Sequence, residues 1–387
     1  MRVLHVSPYF APAWVYGGPP RSVLGLCQGL QAAGIDIEVV TTVANGDRDL
    51  PASPAGGDRF EGVPVRYAPR AFPRRFFGAA VRQPIAAALE RADLCHIHGL
   101  WNVPAWQAAL AARRAGVPTV ISPRGMLQRA AFTHGYWRKR IAFELIERRS
   151  LNDAVRLHAT TDDEAETLRG MFGTSRVVVI PNGVAAPAMQ ADPDFRARHG
   201  IPVNAPLIVF LGRMHPIKRL DLLAGAMQTV VRSHPEARLV LAGPDEGGHL
   251  ASLKAVFRPL ERSMRIVGEL EERAKWSLLR EAAALVLCSD SENFGLSVAE
   301  ALAVGCPVVV SRTCPWAALD EHRCGLWVPQ TAEAIAVAIA SILDEPAEAA
   351  ARARRGIALV RRRYDWRAIG HEMAACYADA LGRRKTA

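Results

Sequence analysis

Short apolar runs alternate with amphipathic stretches along almost the whole chain. In the first half, the strand-like runs are Arg2–Ser7, Asp36–Thr41, Val63–Tyr67, Leu94–His98, Thr119–Ser122, Leu157–Ala159 and Val177–Ile180. The intervening segments with helical spacing are Arg21–Ala33, Ala105–Ala115, Trp137–Asn152 and Thr161–Met171. Alternation of this kind predicts parallel strands joined by right-handed helical crossovers.

The same alternation starts again at Leu207. The second set of strand-like runs is Leu207–Leu211, Arg238–Ala242, Met264–Val267, Leu285–Ser289, Pro307–Ser311 and Leu326–Val328. Helical spacing separates them at Leu220–His234, Arg273–Ala283, Ser297–Val304 and Ala332–Leu343. The stretch Pro181–Pro206, rich in Pro, Asp, Asn and Ala, lies between the two sets and is the best candidate for a linker.

The pattern predicts an α/β fold of two facing Rossmann-like, doubly wound domains. A chain of 387 residues exceeds the size at which one core stops growing, about 250–300 residues. We place the first domain at 1–183 and the second at 184–365, and we expect 366–387 to form a helix that crosses back to the first domain. Because ligands bind beyond the carboxyl ends of parallel strands, we expect the active site in the cleft between the domains.

Composition narrows the classes of protein that remain. The net charge of +10 suits nucleic acid, an anionic membrane or phosphorylated ligands, but no RNA-binding or helix-turn-helix signature accompanies it, so we expect no nucleic acid partner. The seven cysteines form no CxxC pair, and we expect no metal. The amino terminus lacks a signal-peptide h-region and no run of about 18 apolar residues occurs, which predicts a cytoplasmic protein, at most peripheral on the inner face of the cell membrane.

The densest chemical signal is the string Ser289-Asp-Ser-Glu-Asn-Phe-Gly-Leu-Ser-Val-Ala-Glu300. Glu292 follows a predicted strand in a polar turn, where its side chain can face a ligand. Gly295 permits close approach of the backbone to a phosphate, and the helix that opens at Leu296 offers free N–H groups to an anion. Glu300, one turn inside that helix, can reach a vicinal diol, as acidic residues reach ribose in nucleotide folds.

The loop after the first strand of each predicted domain carries candidate binding residues. Arg213 and Lys218 lie in the loop after Leu207–Leu211, where a guanidinium and an ammonium can clamp a diphosphate. Gly17 and Gly18 form a flexible turn after the first strand of the chain, where the backbone can approach the donor, and are candidate donor-binding residues. His98 ends the strand Leu94–His98; His96 points the same way, but the sequence shows no third metal ligand, and a packed core histidine is the alternative.

These blocks resemble the family-4 retaining glycosyltransferases of GT-B fold, and the resemblance covers essentially the whole chain. It implies that Glu292 contacts the hydroxyls of the donor sugar, that Asn293, Phe294, Gly295 and Leu296 lie along sugar and phosphate, and that Glu300 binds ribose. It also implies that Arg213 and Lys218 hold the diphosphate and that His98 contacts the donor sugar. The chain departs from the family pattern at Arg219, where glycine is usual, and at Arg312–Trp316, which replaces a Gly-Gly pair.

A basic and aromatic segment of the first predicted domain is the candidate acceptor side. With the interleaved apolar residues it suits a helix lying on an anionic membrane, and the alternative is a helix packed on its own sheet with a solvated basic face. Its candidate binding residues are Arg124, Arg129, His134, Arg138 and Lys139.

Within this resemblance the chain is closest to transferases that build bacterial surface polysaccharides, such as lipopolysaccharide. The expected function is transfer of a hexosyl unit of mannose or glucose type, with retention and without a metal or other cofactor. The expected partners are a nucleoside-diphosphate sugar, GDP-mannose or a UDP-hexose, and a glycan or lipid-diphosphate-linked acceptor. A nucleotide-sugar 2-epimerase of the same fold, or a non-catalytic protein that binds nucleotide sugars, is the alternative.

Overall fold

The computed structural model describes residues 1–51, 58–70, 79–128, 143–186 and 192–384. The chain divides into two compact units. The first comprises Met1–Gly183 together with Trp366–Ala387, and the second comprises Val184–Asp365. Both are Rossmann-like α/β domains built on largely parallel sheets, as the alternating pattern predicted.

The first unit contains an eight-stranded sheet in the order β10-β9-β8-β7-β1-β2-β6-β5, parallel except for β5, and a separate β3–β4 hairpin. Its strands are β1 (Arg2–Val6), β2 (Asp36–Thr42), β3 (Ala44–Asn45), β4 (Arg48–Asp49), β5 (Arg59–Phe60), β6 (Val63–Ala68), β7 (Leu94–His98), β8 (Thr119–Ser122), β9 (Arg156–Ala159) and β10 (Val177–Val179). Every residue of β7 is buried, as expected for a central parallel strand covered on both faces.

Helices cover this sheet, and side-chain caps mark where two of these described helices begin. The α-helices are α1 (Gly18–Ala32), α2 (Arg82–Leu89), α3 (Val103–Ala115), α4 (Arg148–Asp153), α5 (Asp162–Phe172) and, at the carboxyl end of the chain, α15 (Trp366–Arg384). A 3-10 turn spans Trp14–Tyr16, another spans Ala79–Val81, and a π-helical turn spans Phe143–Glu147. Asn102 caps α3 by accepting a hydrogen bond from the Ala105 N–H at 2.9 Å.

The helix α15 belongs to the first unit because its backbone packs directly on α1. A Cβ atom on Gly370 would lie 2.1 Å from the Gly29 carbonyl oxygen, and one on Gly29 would lie 2.2 Å from the Trp366 carbonyl oxygen. Glycines at both positions therefore let the two helix backbones approach more closely than any side chain allows.

The second unit is a six-stranded parallel sheet in the order β13-β12-β11-β14-β15-β16, the strand order of a dinucleotide-type doubly wound sheet. Its strands are β11 (Leu207–Leu211), β12 (Arg238–Ala242), β13 (Met264–Gly268), β14 (Ala282–Leu287), β15 (Val308–Ser311) and β16 (Leu326–Val328). The order reverses between β11 and β14, which pair in parallel. Loops that follow these two strands therefore emerge at the switch point, where such sheets bind ligands.

The helices of the second unit complete its crossovers. They are α6 (Phe195–Arg198), α7 (Leu220–Ser233), α8 (His249–Ser252), α9 (Lys254–Phe257), α10 (Glu272–Glu281), α11 (Leu296–Ala303), α12 (Ala318–Glu321), α13 (Ala332–Asp344) and α14 (Pro346–Arg363). Short 3-10 turns span Pro216–Lys218, Glu246–Gly248 and Arg258–Leu260.

Two of the differences from the predicted pattern have a clear physical cause. The strand predicted at Leu285–Ser289 begins earlier and ends earlier, as Ala282–Leu287, because Ala282 pairs with Leu207 at the start of β11 and tertiary pairing overrides the helical propensity of alanine. The predicted linker is folded in its second half, since Phe195 is fully buried in the core of the second unit.

Candidate active site

The switch point of the second unit brings Lys218 and Glu292 together. Lys218 ends the turn after β11, Glu292 lies in the loop after β14, and their side chains form an ion pair. The Ser289 hydroxyl also donates a hydrogen bond to Glu292, at 2.6 Å. Both charged side chains are largely shielded, at 15% and 12% exposure, so solvent screens the pair little.

Gly295 and Phe294 shape the start of α11 beside this ion pair. Gly295 has φ +79°, and a Cβ there would lie 3.1 Å from Trp316 Nε1 and 3.2 Å from Leu287. The Phe294 ring is buried against Trp316 and Tyr364, and its carbonyl accepts a hydrogen bond from Trp316 Nε1 at 2.6 Å. Phe294 therefore anchors the loop through its ring, while the backbone that leads into Leu296 opens the helix with N–H groups suited to an anion.

Glu300 lies one turn inside α11 and is held by a partner that the sequence did not reveal. Lys275 of α10 lies 2.7 Å from Glu300 Oε1 and also pairs with Glu272 at 3.1 Å. Lys275 lies on the buried face of α10, at 7% side-chain exposure. A lysine in an amphipathic helix gives no signal of such a partner, and a ribose at Glu300 would share the carboxylate with this ammonium.

In the structure, the two cations of the predicted diphosphate clamp form ion pairs with different carboxylates. Arg213 pairs with Glu246 at 2.5 Å, where both side chains are about two-fifths exposed, whereas Lys218 pairs with Glu292. Glu246 lies in the loop after β12, the next strand of the sheet. Each cation is therefore placed at the carboxyl edge of the sheet by a counter-charge from a neighbouring loop.

Arg219 connects the loops after β11 and β14. Its φ is +51°, in the left-handed region where glycine is usual, which explains why arginine is unusual here. The guanidinium pairs with Asp221 at 2.9 Å and with Asp290 at 3.1 Å. The hydrogen bond with Asp221 raises the pKa of Arg219 and lowers the pKa of Asp221. The Asp290 N–H also donates to the Ile217 carbonyl at 2.8 Å, so side chain and backbone tie the Lys218 loop to the Glu292 loop.

In the first unit, the glycine turn and Arg124 meet at the start of α1. Gly17 has φ +76° and precedes the helix, and Arg124 Nη1 donates to the Ser22 hydroxyl at 2.8 Å. Arg124 also lies 3.4 Å from Asn182 Oδ1, next to the end of the first unit. Its own φ is +55°, in the left-handed region that non-glycine residues rarely adopt.

His98 is buried at the end of β7, and both of its ring nitrogens are engaged. Nε2 lies 2.9 Å from His5 Nδ1, and Nδ1 accepts from the Arg124 guanidinium at 3.2 Å. Burial, and to a smaller degree nearby positive charge, lowers the pKa of His98 well below its usual value, so the ring is neutral at pH 7. A donor sugar that contacts a ring nitrogen of His98 must replace one of these partners.

The structure supplies the third histidine that the sequence did not reveal beside His96 and His98. His5 pairs with His96 in the β1–β7 register, and one ligand atom from each of the three rings lies within 4.8 Å of the others. Every ring nitrogen of the three already faces a hydrogen-bond partner, and a guanidinium adjoins His98. This set does not fit a metal ion, because the ion would displace those bonds and lie beside a fixed positive charge.

The acceptor-side residues are only partly within the described structure. Arg129, His134, Arg138 and Lys139 lie outside the described residues, and only Arg124 of that set is placed. Among the helices that the structure describes, none combines the length and the apolar character needed to cross a membrane.

Comparison with known proteins identifies both halves of the chain. Residues 17–183 match the glycosyl transferase 4-like domain, and residues 191–358 match the glycosyl transferases group 1 domain. A D-inositol 3-phosphate glycosyltransferase of Kineococcus radiotolerans is 30% identical over 98% of this chain and 95% of its own length. A GDP-mannose:cellobiosyl-diphosphopolyprenol alpha-mannosyltransferase of Xanthomonas campestris is 26% identical over 100% of this chain and 99% of its own.

Solved structures share the same two-domain fold. The HepE protein of Anabaena in complex with UDP and glucose superposes with a TM-score of 0.78 at 18% identity, over 98% of this chain and 100% of that chain. WaaG, a glycosyltransferase involved in lipopolysaccharide biosynthesis, superposes with a TM-score of 0.70 at 16% identity, over 96% of this chain and 98% of that chain. The chain therefore belongs to the family-4 glycosyltransferases of GT-B fold.

Proposed function

We propose that this glycosyltransferase moves a hexosyl unit of mannose or glucose type from a nucleoside-diphosphate sugar to a glycan or lipid-diphosphate-linked acceptor in surface polysaccharide synthesis. The observation that carries the proposal is the shielded Lys218–Glu292 pair at the switch point, beside the opening of α11. The activity of the Xanthomonas relative, a GDP-mannose-dependent mannosyltransferase, and the UDP and glucose bound by HepE support a donor of this class.

In this proposal the two members of the ion pair bind different parts of the donor. The Lys218 ammonium binds the diphosphate together with the N–H groups that open α11, and the Glu292 carboxylate accepts hydrogen bonds from sugar hydroxyls. Arg213, held at the same edge by Glu246, adds a second cation for the charge that develops on the leaving nucleotide. Glu300 accepts hydrogen bonds from the ribose hydroxyls.

We further propose that transfer proceeds with retention and without a metal. Glu292 is already paired with an ammonium and a serine hydroxyl, which makes its carboxylate a poor nucleophile for a double displacement. The bond from the anomeric carbon to the diphosphate breaks with its electron pair on the phosphate oxygen. The acceptor hydroxyl then bonds to the same face of the sugar and passes its proton to that phosphate. Lys218 and Arg213 supply the positive charge that a metal supplies in other transferases.

The proposal is tested by incubating the full chain with radiolabelled GDP-mannose, UDP-glucose and a membrane lipid extract, with and without EDTA. We expect a labelled lipid-linked product from one donor class, in equal yield with EDTA. An epimerised nucleotide sugar would instead favour the epimerase, and binding without turnover would favour a non-catalytic protein. Loss of the product on chelation would contradict metal independence alone.

A further inference from the structure

A continuous row of polar side chains, buried except for the partly buried Arg124, crosses the first unit from Arg124 to the carbonyl of Ile180. Its histidines and Ser122 lie on four neighbouring strands, β1, β7, β8 and β9, and its tyrosine, Tyr377, lies on α15. The successive contacts are Arg124 to His98 (3.2 Å), His98 to His5 (2.9 Å), His5 to Tyr377 (3.5 Å), Tyr377 to His96 (2.6 Å), His96 to Ser122 (2.6 Å), Ser122 to His158 (2.6 Å) and His158 to Ile180 (2.8 Å). We call this row the histidine chain.

The Arg124 end fixes the direction of the first half of the histidine chain. A guanidinium only donates hydrogen bonds, so His98 Nδ1 must accept and the His98 proton lies on Nε2. That Nε2–H donates to His5 Nδ1, which places the His5 proton on Nε2, facing the Tyr377 oxygen.

The Ile180 end fixes the second half independently. A carbonyl oxygen only accepts, so a neutral His158 carries its proton on Nε2 and accepts at Nδ1 from the Ser122 hydroxyl. The Ser122 oxygen then accepts from His96 Nε2–H, and His96 Nδ1 accepts from the Tyr377 hydroxyl.

The two directions agree at Tyr377, whose hydroxyl accepts from His5 and donates to His96. In their neutral forms, all four histidines therefore carry the proton on Nε2. An extra proton on His98 or His5 would place two donors face to face, whereas the Nδ1 atoms of His96 and His158 face hydroxyls, which can also accept. The burial of all four rings, which lowers the pKa of His5 to about 3 and of His158 to about 4, acts in the same sense. The positive charge of Arg124 lowers the pKa of all four rings, and Glu164 is the carboxylate whose charge acts most on the pKa of Arg124.

We infer that Tyr377 and His5 are positioning residues for the transfer reaction: they fix the proton of His98 on Nε2, so that its Nδ1 holds the Arg124 guanidinium against Ser22 and Asn182. Aligned hydrogen bonds polarise one another, so the histidine chain strengthens the bond that His98 Nδ1 accepts. The terminal groups exclude proton conduction, because the guanidinium retains its proton at neutral pH and the carbonyl cannot take one. The histidine chain therefore orients Arg124 and does not relay protons. The kinetic part of this inference rests on the proposed function and on Arg124 as the acceptor-side residue that the sequence predicted.

The direct test is the protonation of the four rings, measured by long-range proton–nitrogen NMR on the full-length wild-type chain at pH 7. We expect all four to be neutral with the proton on Nε2, and to stay so after one equivalent of ZnCl₂. A proton on Nδ1 or a doubly protonated ring would overturn the inference. Stoichiometric zinc binding that shifts His5, His96 and His98 would also overturn it, in favour of a metal site.

The kinetic test replaces the bridging hydroxyl. Tyr377→Phe should lower kcat/KM for the acceptor by about 10-fold, the scale of one buried hydrogen bond, because His5 Nε2–H and His96 Nδ1 both lose their partner. Tyr67→Phe is the matched control, since its hydroxyl donates to Ala11 of the same unit, outside the histidine chain. Equal activities of the two variants would contradict the positioning role. If the wild type shows no transfer at all, the proposed function fails. The NMR result still decides the direction of the hydrogen bonds in the histidine chain.

Discussion

At the scale of single residues, the candidate donor site depends on charges that are paired and shielded before any ligand arrives. Lys218 and Glu292 neutralise each other, and removing either partner leaves the other charge partly buried. The sequence string predicted Glu292, Gly295 and Glu300 as site residues, because acidic residues and glycine at a strand-to-helix turn have specific chemistry. Lys275, His5 and Tyr377 carried no such signal, since their roles arise from contacts between distant parts of the chain.

Lys218→Ala should lower turnover by about 10²-fold or more, the scale observed when one group that stabilises a developing charge is removed. The measurement is the steady-state rate with a saturating nucleotide sugar. Lys254→Ala is the matched control, because Lys254 is an exposed lysine on α9 of the same unit. Near-normal turnover in Lys218→Ala, with the fold intact by circular dichroism, would remove Lys218 from the diphosphate site.

Glu292→Gln should impair transfer without trapping a covalent sugar on the protein. The amide keeps the shape of the side chain but loses the charge that pairs with Lys218 and the second acceptor oxygen for sugar hydroxyls. Intact-protein mass spectrometry after incubation with donor is the readout, with the wild type measured in parallel. A mass increase of one hexosyl unit on the protein would indicate a double displacement instead.

At the scale of elements, strand positions followed from the apolar runs, and several matched to the residue, such as Leu94–His98 and Leu207–Leu211. The pattern was less informative where alanine fills a strand, as at Ala282–Leu287, since neighbouring strands decide that segment. The helices Arg82–Leu89 and Pro346–Arg363 were not predicted. The close approach of α1 and α15 also could not be predicted, because glycine spacing in two helices does not reveal that they touch.

Gly370→Ala should destabilise the first unit by about 1–3 kcal/mol, the range for overpacked contacts, because the added methyl would meet the Gly29 backbone. Gly382→Ala lies on the same helix with open space around it, and it should be neutral or stabilising by about 0.5–1 kcal/mol, since alanine favours a helix over glycine. Thermal unfolding of the two variants gives the comparison. Equal melting temperatures would contradict the close packing of α15 on α1.

At the scale of the whole molecule, the two units differ in their sensitivity to acid. Among the residues that the structure describes, four histidines are fully buried, and all of them lie in the first unit: His5, His96, His98 and His158. The described histidines of the second unit are at least partly exposed. The net charge of +10 predicted affinity for anions but did not indicate this asymmetry, since it depends on which histidines the sheet buries.

Acidification should therefore destabilise the first unit selectively. Burial holds the folded pKa values below the unfolded value of about 6.5, near 3 for His5 and near 4 for His158, so the unfolded state takes up protons first. The stabilisation is complete above about pH 6.5. It is lost as the pH falls from there toward the folded pKa values, by about 1.4 kcal/mol per pH unit for each histidine. Amide hydrogen exchange at pH 7.5 and 5.5, corrected for intrinsic rates, should show loss of protection in β7 but not in β11. Equal loss in both strands would contradict this asymmetry.

The central claim is that this family-4 transferase moves a sugar from a nucleoside diphosphate with retention, through departure of the diphosphate toward Lys218. The most direct measurement is the anomeric configuration of the product formed by the wild-type chain from an α-linked donor, determined from NMR coupling constants. The proposed mechanism predicts an α-linked product. A β-linked product would mean inversion, and it would contradict both same-face attack and the proposed role of the Lys218–Glu292 pair.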